Sequence, residues 1–180
     1  ETYGKLNEKR DNAILVFHAL TGDQFASGIN PITNKEGWWN YAIGPDKAFD
    51  TNKFFIICAN VIGGCMGSYG PASIDPNTNK ALGTNFPVIT INDMVNAQYN
   101  ILEFFNIEKL FAVAGGSMGG MQVLQFVSNF PDKTKVALPI ACTASHSAQN
   151  IALNELGRQS IMADHNWLNG FYEENKKSPD

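Results

Sequence analysis

The residues best suited to chemistry are 115–119, Gly-Gly-Ser-Met-Gly, which fit the pattern G-x-S-x-G. A short apolar run at residues 110–114 precedes them, and residues 121–127 follow with apolar positions at helical spacing. This order of strand, tight turn and helix is typical of a nucleophile elbow, which holds a serine hydroxyl above the edge of a sheet. The pattern therefore predicts that Ser117 is a nucleophile in acyl transfer.

The glycines around Ser117 have a physical reason in such a turn. The residues two before and two after the serine crowd each other, so Gly115 and Gly119 remove Cβ clashes and permit strained dihedral angles. The helix that follows directs partial positive charge to the place where an oxyanion would form. The alternative is a glycine-rich turn that only packs closely. Neither G-x-G-x-x-G nor a phosphate-loop lysine is present.

Residues 18–22, His-Ala-Leu-Thr-Gly, follow a second apolar run at residues 13–17. A loop at the carboxyl end of a central strand is where such enzymes carry their second oxyanion donor. His18 has two interpretations, a catalytic base or a histidine that orders the loop through hydrogen bonds. We favour the second, because His18 precedes the serine and lies on the loop that must supply a backbone N–H.

The length and composition of the chain limit the kinds of protein that it can be. A chain of 180 residues, 44% hydrophobic and 17% charged, is expected to form one domain, residues 1–180, with a substantial core. The net charge of -4 gives no basic patch, which argues against nucleic acid as a partner. The longest apolar run, residues 54–58, is too short to cross a membrane.

We expect no signal peptide, and the cysteines lack metal-ligand spacing. We interpret Cys58, Cys65 and Cys142 as reduced thiols of a cytoplasmic protein, mostly buried, with a nucleophilic role as the alternative for any of them.

Alternating strand and helix patterns predict a mainly parallel α/β sheet with flanking helices. The predicted strands are residues 13–17, 53–61, 110–114 and 135–142, with a strand end at residues 2–3. Three helices are predicted. The first begins at a capping box on residues 90–93, the second runs from after Ser117 to near Asn129, and the third begins at Ser147. Residues 23–52 are expected to be irregular, with Trp38 and Trp39 packing a loop onto the core. Residues 63–87 are expected to be an ordered loop near the site, and the tail 173–180 to be frayed.

Many ordered blocks of the sequence resemble the homoserine O-acetyltransferase family of the α/β-hydrolase superfamily. The blocks are residues 2–7, 18–22, 37–39, 50–51, 60–68, 70–73, 86–95, 115–122, 147–152 and 157–159. These blocks are distributed along nearly the whole chain, whereas a general esterase would share only the elbow. The resemblance implies an α/β-hydrolase fold.

The resemblance also implies a two-step acyl transfer. Ser117 would take the acetyl group from acetyl-CoA, and the γ-hydroxyl of L-homoserine would then attack the acyl-serine, on the route to methionine. By the family match, the backbone N–H groups of Leu20 and Met118 would be the oxyanion donors. Arg158 would bind the homoserine carboxylate. The alternative for Arg158 is a solvated helix arginine. Acetyl-CoA would be a co-substrate, with no cofactor and no metal, in a cytoplasmic homodimer.

This sequence departs from the family pattern in one respect. The triad acid and histidine would follow later strands, and the chain stops at Asp180, before those strands and before the helical lid. We therefore expect an N-terminal fragment, with the triad Asp and His outside this chain and little turnover alone. His146 and His165 have no catalytic match and are expected to be structural or surface residues.

Other functions stay open at this point. Succinyl-CoA could replace acetyl-CoA as the donor, and L-serine could replace homoserine as the acceptor. A serine hydrolase would use water as the acceptor, although Arg158 and the long blocks argue against it. A non-catalytic domain would use its pocket only for binding, which the intact elbow disfavours.

Overall fold

The computed structural model describes residues 1–172 and 177–179. Most of the tail that was predicted to fray, residues 173–176 and 180, lies outside the described residues. The strands are β1 (Thr2–Tyr3), β2 (Ala13–Phe17), β3 (Ile43–Gly44), β4 (Phe49–Asp50), β5 (Phe55–Cys58), β6 (Ile74–Asp75), β7 (Lys80–Ala81), β8 (Leu110–Gly116) and β9 (Thr134–Ile140). The helices are α1 (Ile91–Phe104), α2 (Met118–Asn129) and α3 (Ala148–Ala163), with short 3-10 turns at Gly83–Asn85, Pro131–Lys133 and Leu168–Gly170.

Contacts divide the chain into two compact units. The first is Glu1–Ile62 with Thr90–Thr143, and it holds the central sheet, α1 and α2. The second is Gly63–Ile89 with Ala144–Asp180, and it holds the antiparallel pair β6–β7 and helix α3. The single domain expected over residues 1–180 stays a prediction.

The central sheet of the first unit has five strands in the order β1-β5-β2-β8-β9. β1 is antiparallel to β5, and the other neighbouring strands run parallel. All five residues of β2 are buried, because a central strand of a parallel sheet is covered on both faces. The predicted α/β architecture is therefore confirmed.

Side chains alternate between two cores, one on each face of the sheet. Leu15 and Phe17 face the cluster that includes Val123 and Phe126 of α2. Ile14 and Val16 face the opposite cluster, against which the indoles of Trp38 and Trp39 pack, as the sequence predicted. The period of two in β2 thus joins the helices to one face and the tryptophan loop to the other.

Helix α1 begins where the sequence predicted, at a capping box. The Thr90 hydroxyl accepts the Asp93 N–H at 3.2 Å, and the Asp93 carboxylate accepts the Thr90 N–H at 2.8 Å. The hydrogen bond from the Thr90 side chain holds the pKa of Asp93 below its usual value. Asp93 therefore serves as a helix cap, which satisfies N–H groups that the helix leaves without internal acceptors.

Three sequence predictions were corrected in detail. The strand expected at residues 53–61 is only Phe55–Cys58. The stretch expected to be irregular contains the short parallel pair β3–β4, which a two-residue pattern is too short to signal. Among the cysteines only Cys58 is buried, while Cys142 is half-buried and Cys65 is exposed.

No helix in the described part of the chain combines the length and apolar character that crossing a membrane needs.

Candidate active site

The candidate site lies where β2 and β8, two neighbouring parallel strands, end at the same edge of the sheet. Phe17, the last residue of β2, pairs in register with Gly115 of β8. The loop at residues 18–22 and the elbow at Ser117 therefore leave the sheet side by side. This is the edge at which parallel α/β sheets carry their ligand sites.

Ser117 has the backbone conformation of a strained turn. Its φ is 55° and its ψ is -121°, a combination that non-glycine residues rarely adopt. Such a residue costs about 1–3 kcal/mol and persists only where the surroundings hold it in place. Its side chain is exposed, so the strain presents the hydroxyl to the solvent side of the sheet edge.

Gly115 and Gly119 make this turn possible because they leave room for backbone atoms. A Cβ at Gly115 would lie 2.5 Å from the carbonyl carbon of Gly119. A Cβ at Gly119 would lie 2.8 Å from the carbonyl carbon of Phe17 and closer still to its oxygen. The positive φ falls on Ser117 itself and not on these glycines, so the sequence was right about the crowding and wrong about which residue carries the strained dihedral angle.

The hydrogen bonds of the elbow identify its open donor. The Ser117 N–H donates to the carbonyl of Ile140 at 3.0 Å and is therefore occupied. The Met121 N–H donates to the Ser117 carbonyl at 3.1 Å and closes the first turn of α2. The Met118 N–H precedes that turn and has no acceptor within the helix. It stands at the positive end of the helix dipole, next to the serine, as an oxyanion donor would.

The opposing loop is folded into a turn by the Gly22 N–H, which donates to the carbonyl of Ala19 at 2.9 Å. Leu20 lies within this turn, and its side chain is 75% exposed. Leu20, Ser117 and Met118 are thus at one edge of the sheet in the first unit. Their roles as nucleophile and oxyanion donors stay predictions.

His18 orders this loop. Its Nδ1 lies 2.8 Å from the Ala19 carbonyl, and its Nε2 accepts the Val61 N–H at 3.1 Å. These contacts require a neutral ring with its proton on Nδ1. Burial holds the pKa of His18 below its usual value. Both ring nitrogens are engaged, which supports the loop-ordering interpretation over that of a catalytic base.

Arg158, the remaining predicted site residue, lies on α3 in the second unit. Its guanidinium forms an ion pair with Glu155, one turn earlier on the helix, and its side chain is 70% exposed. His165, also in the second unit, lies 3.7 Å from the Asp164 carboxylate and is exposed, and His146 is exposed as well. The role of Arg158 toward a carboxylate ligand stays a prediction.

One further side chain that could react, the Cys58 thiol, is buried. Burial raises the pKa of the Cys58 thiol to about 12, so this cysteine is not a thiolate near neutral pH.

One feature of the site was not predicted from the sequence, a buried pair of amides from Gln98 and Gln122 beneath the elbow. The available signal was a glutamine at a core-facing position of each amphipathic helix.

The contact between Gly119 and β2 generates the first prediction. Gly119→Ala places a methyl group against the Phe17 carbonyl, and we expect the free energy of unfolding to fall by about 3 kcal/mol, measured by urea denaturation. Gly116→Ala is the matched control, since its Cβ would meet only the Ile140 oxygen, at 4.0 Å. Equal stability of the two variants would contradict the close approach.

The second prediction follows from the lowered pKa of His18. The folded protein binds a proton at His18 less readily than the unfolded chain, whose histidines titrate near pH 6.5. The stability that neutral His18 contributes is therefore present above about pH 6.5 and is lost as the pH falls through the lower pKa of the folded state. His18→Gln keeps an acceptor for Val61 but does not titrate.

We expect the free energy of unfolding to fall less between pH 7.5 and pH 5.5 in His18→Gln than in the wild type, measured by urea denaturation at each pH. The variant serves as its own control for every other titrating group. Parallel pH profiles for the two proteins would show that His18 is not buried in the neutral form.

Comparisons with known proteins agree with this geometry. The chain is 79% identical over 179 residues to a homoserine O-acetyltransferase of Pelagibacter ubique (strain HTCC1062), an alignment that covers 99% of this chain and 48% of that relative. The solved homoserine O-acetyltransferase from Bacillus anthracis superimposes with a TM-score of 0.86 at 32% identity, over 96% of this chain and 48% of that one. Esterase E22 superimposes with a TM-score of 0.87 at 34% identity, over 97% and 50%.

The chain spans about half the length of the relatives it matches. A family model described as alpha/beta hydrolase fold matches residues 12–180, which include the parallel strands of the sheet, the loop after β2 and the elbow. Because this match extends over most of the chain and the strands β2 and β8 deliver a strained serine to the sheet edge, the chain belongs to the alpha/beta hydrolase fold family.

Proposed function

We propose that the protein containing this chain is a homoserine O-acetyltransferase and that Ser117 carries the acetyl group. The observation that supports this most is the 79% identity to a relative of that name along 99% of the chain. The strained, exposed Ser117 at the positive end of α2 supplies the chemistry that the name requires. The same proposal places the protein in methionine biosynthesis.

The first step would transfer the acetyl group to the enzyme. The Ser117 oxygen attacks the thioester carbonyl of acetyl-CoA, and the carbonyl oxygen becomes an oxyanion held by the Met118 and Leu20 N–H groups. The carbon–sulfur bond breaks, coenzyme A leaves as its thiol, and an acetyl ester remains on Ser117. Acetyl-CoA is thus a co-substrate, and the proposal assigns no cofactor.

In the second step the γ-hydroxyl of L-homoserine attacks the acetyl-serine through a second oxyanion at the same donors. The serine–acetyl bond breaks, O-acetylhomoserine leaves, and the Ser117 hydroxyl is restored. A base must remove the proton from each attacking hydroxyl. His18 is buried with both ring nitrogens engaged, so we assign the base, and the acid that orients it, to residues beyond this chain.

Arg158 supplies the proposed recognition of the acceptor. A planar guanidinium binds a carboxylate through two parallel hydrogen bonds, which also orient the ligand. In the structure its partner is the exposed carboxylate of Glu155, a surface pair of the kind that contributes little stability. The carboxylate of homoserine could replace such a partner at small cost.

A serine esterase is the second candidate function. Its support is the superposition with esterase E22 at 34% identity, close to the 32% found for the solved acetyltransferase. Both activities need the same acyl-serine, and they differ in whether water or an amino-acid hydroxyl attacks it. Succinyl-CoA as donor and L-serine as acceptor are alternatives within the transferase function.

The third prediction separates these functions in the full-length protein. Steady-state release of coenzyme A thiol from acetyl-CoA, after the first burst, is expected to depend on L-homoserine, whereas a hydrolase would continue to release it without the amino acid. Mass spectrometry of the product, with acetyl- or succinyl-CoA and with homoserine or serine, identifies the donor and the acceptor. Ser117→Ala is expected to lower kcat by at least about 10⁴-fold.

Ser128→Ala is the matched control, because Ser128 lies exposed on the same helix α2. Its kcat is expected to equal that of the wild type. Steady-state thiol release that is independent of homoserine would overturn the transferase proposal in favour of the hydrolase. Turnover that survives Ser117→Ala would overturn both.

The fourth prediction tests Arg158. Arg158→Ala is expected to raise the KM for L-homoserine at least about tenfold, the loss expected for charged hydrogen bonds to a carboxylate. The first burst of thiol from acetyl-CoA should be unchanged, since that step precedes the acceptor. Glu155→Gln removes the present partner and keeps the guanidinium, so its KM should not rise. An unchanged KM in Arg158→Ala would return Arg158 to the role of a solvated helix residue.

We further propose that the full-length protein is a cytoplasmic homodimer, and light scattering of the purified protein tests the number of subunits. The little turnover expected of the 180-residue chain alone also stays a prediction. It rests on the proposed assignment of the base to residues beyond this chain, and thiol release from acetyl-CoA at the rate of the full-length protein would contradict it.

A further inference from the structure

Two glutamine side chains are buried in the core of the first unit, directly beneath the elbow. Gln122 of α2 is fully buried, and Gln98 of α1 is 4% exposed. An amide in an apolar environment is costly unless its donors and acceptors are paired. Aliphatic side chains could fill these two core positions without that cost. The hydrogen-bond partners of the amides therefore indicate why glutamines are found there.

The Gln122 amide contacts both segments that carry the proposed oxyanion donors. Its Nε2 donates to the carbonyl of His18 at 3.4 Å and to the carbonyl of Met118 at 3.5 Å. His18 lies two residues before Leu20, and Met118 carries the other donor itself. One amide nitrogen thus joins the start of the loop after β2 to the first residue of α2.

Gln98 orients this amide. Its Nε2 donates to the Gln122 Oε1 at 2.8 Å, the shortest contact in the network. Because the Gln122 oxygen is taken up by Gln98, the Gln122 nitrogen must face the two carbonyls. The Gln98 Oε1 is buried without a partner among the described residues, so the pair is maintained despite an unpaired acceptor.

The surrounding backbone makes this contact sensitive to small displacements. Gly119 packs against the Phe17 carbonyl with no room for a Cβ, so the start of α2 and the end of β2 touch directly. Oxyanion stabilisation depends on donors held in place before the reaction.

We propose that Gln98 and Gln122 form a positioning pair that sets the separation between the Leu20 and Met118 N–H donors. The inference rests on the acylation step of the proposed function and holds whether the acceptor is homoserine or water. Gln122 acts through the backbone of the two donor segments, and Gln98 acts through Gln122. Neither side chain touches the substrate.

The fifth prediction tests this pair in the full-length protein with p-nitrophenyl acetate, an activated ester that acylates a serine without acetyl-CoA or homoserine. Stopped-flow absorbance gives the rate constant and the amplitude of the p-nitrophenolate burst. Gln122→Met should lower the acylation rate constant at saturating ester about tenfold or more, as expected for donors misplaced by less than 1 Å. The half-saturating ester concentration should be unchanged.

Gln98→Met should lower the same rate constant about threefold or more, because the Gln122 amide loses the partner that orients it. The double variant should be no slower than Gln122→Met, since both residues act through one contact. Gln125→Met is the matched control. Its amide donates to Asn129 Oδ1 at 2.8 Å within α2, and its rate constant should stay within about twofold of the wild type.

The burst separates positioning from folding. A variant that only folds less well gives a smaller amplitude with an unchanged rate constant, which would overturn the inference. If Gln122→Met yields no folded protein, Gln98→Met decides the question, and an unchanged rate constant there overturns the inference. A wild-type burst that is missing, or that persists in Ser117→Ala, would instead overturn the proposed function and this pair's role with it.

Discussion

The close approach of two backbones, at the start of α2 and the end of β2, is the constraint on which the candidate site depends. Gly119 lies so near the Phe17 carbonyl that no side chain fits between them, and a side chain at Gly115 would in turn clash with Gly119. Any larger residue would push α2 away from the sheet. The approach places the first N–H groups of α2 next to the loop that follows β2, which is the arrangement an oxyanion site requires.

The strain at Ser117 is a consequence of the same approach. To turn from β8 into a helix that touches β2, the chain adopts a positive φ at the serine, and the Ile140 carbonyl holds its N–H in place. The bond to Ile140 also removes the Ser117 N–H from the set of possible oxyanion donors. The elbow thus depends on two contacts, the approach of α2 to β2 and the hydrogen bond from Ser117 to Ile140.

The neighbouring loop is held by groups that do not themselves react. His18 uses one ring nitrogen on its own loop and the other on Val61, which follows β5, and remains neutral because it is buried. Gln122 holds the same loop from the side of α2. The site thus has rigid support from three elements of the first unit, which suits a reaction whose catalysis rests on preorganised dipoles.

Local patterns in the sequence determined most of the elements. The five apolar residues of β2, the capping box at Thr90 and the end of α2 before Pro131 were all predictable, because each depends on neighbours within a few residues. The G-x-S-x-G spacing likewise identified Ser117 and the two crowded glycines. Short paired strands such as β3 and β4 escaped prediction, since two residues carry no periodicity.

The tertiary structure decided the features that depend on distant partners. It gave Ser117 the positive φ, engaged both nitrogens of His18, and joined Gln98 to Gln122, 24 residues apart along the chain. The sequence could suggest that these residues are engaged but not with which partners, because buried polar groups pair with groups that only the folded chain brings near. The sequence by itself identified Ser117 as the candidate nucleophile, and only the tertiary structure decided which groups hold it and the neighbouring N–H groups in place.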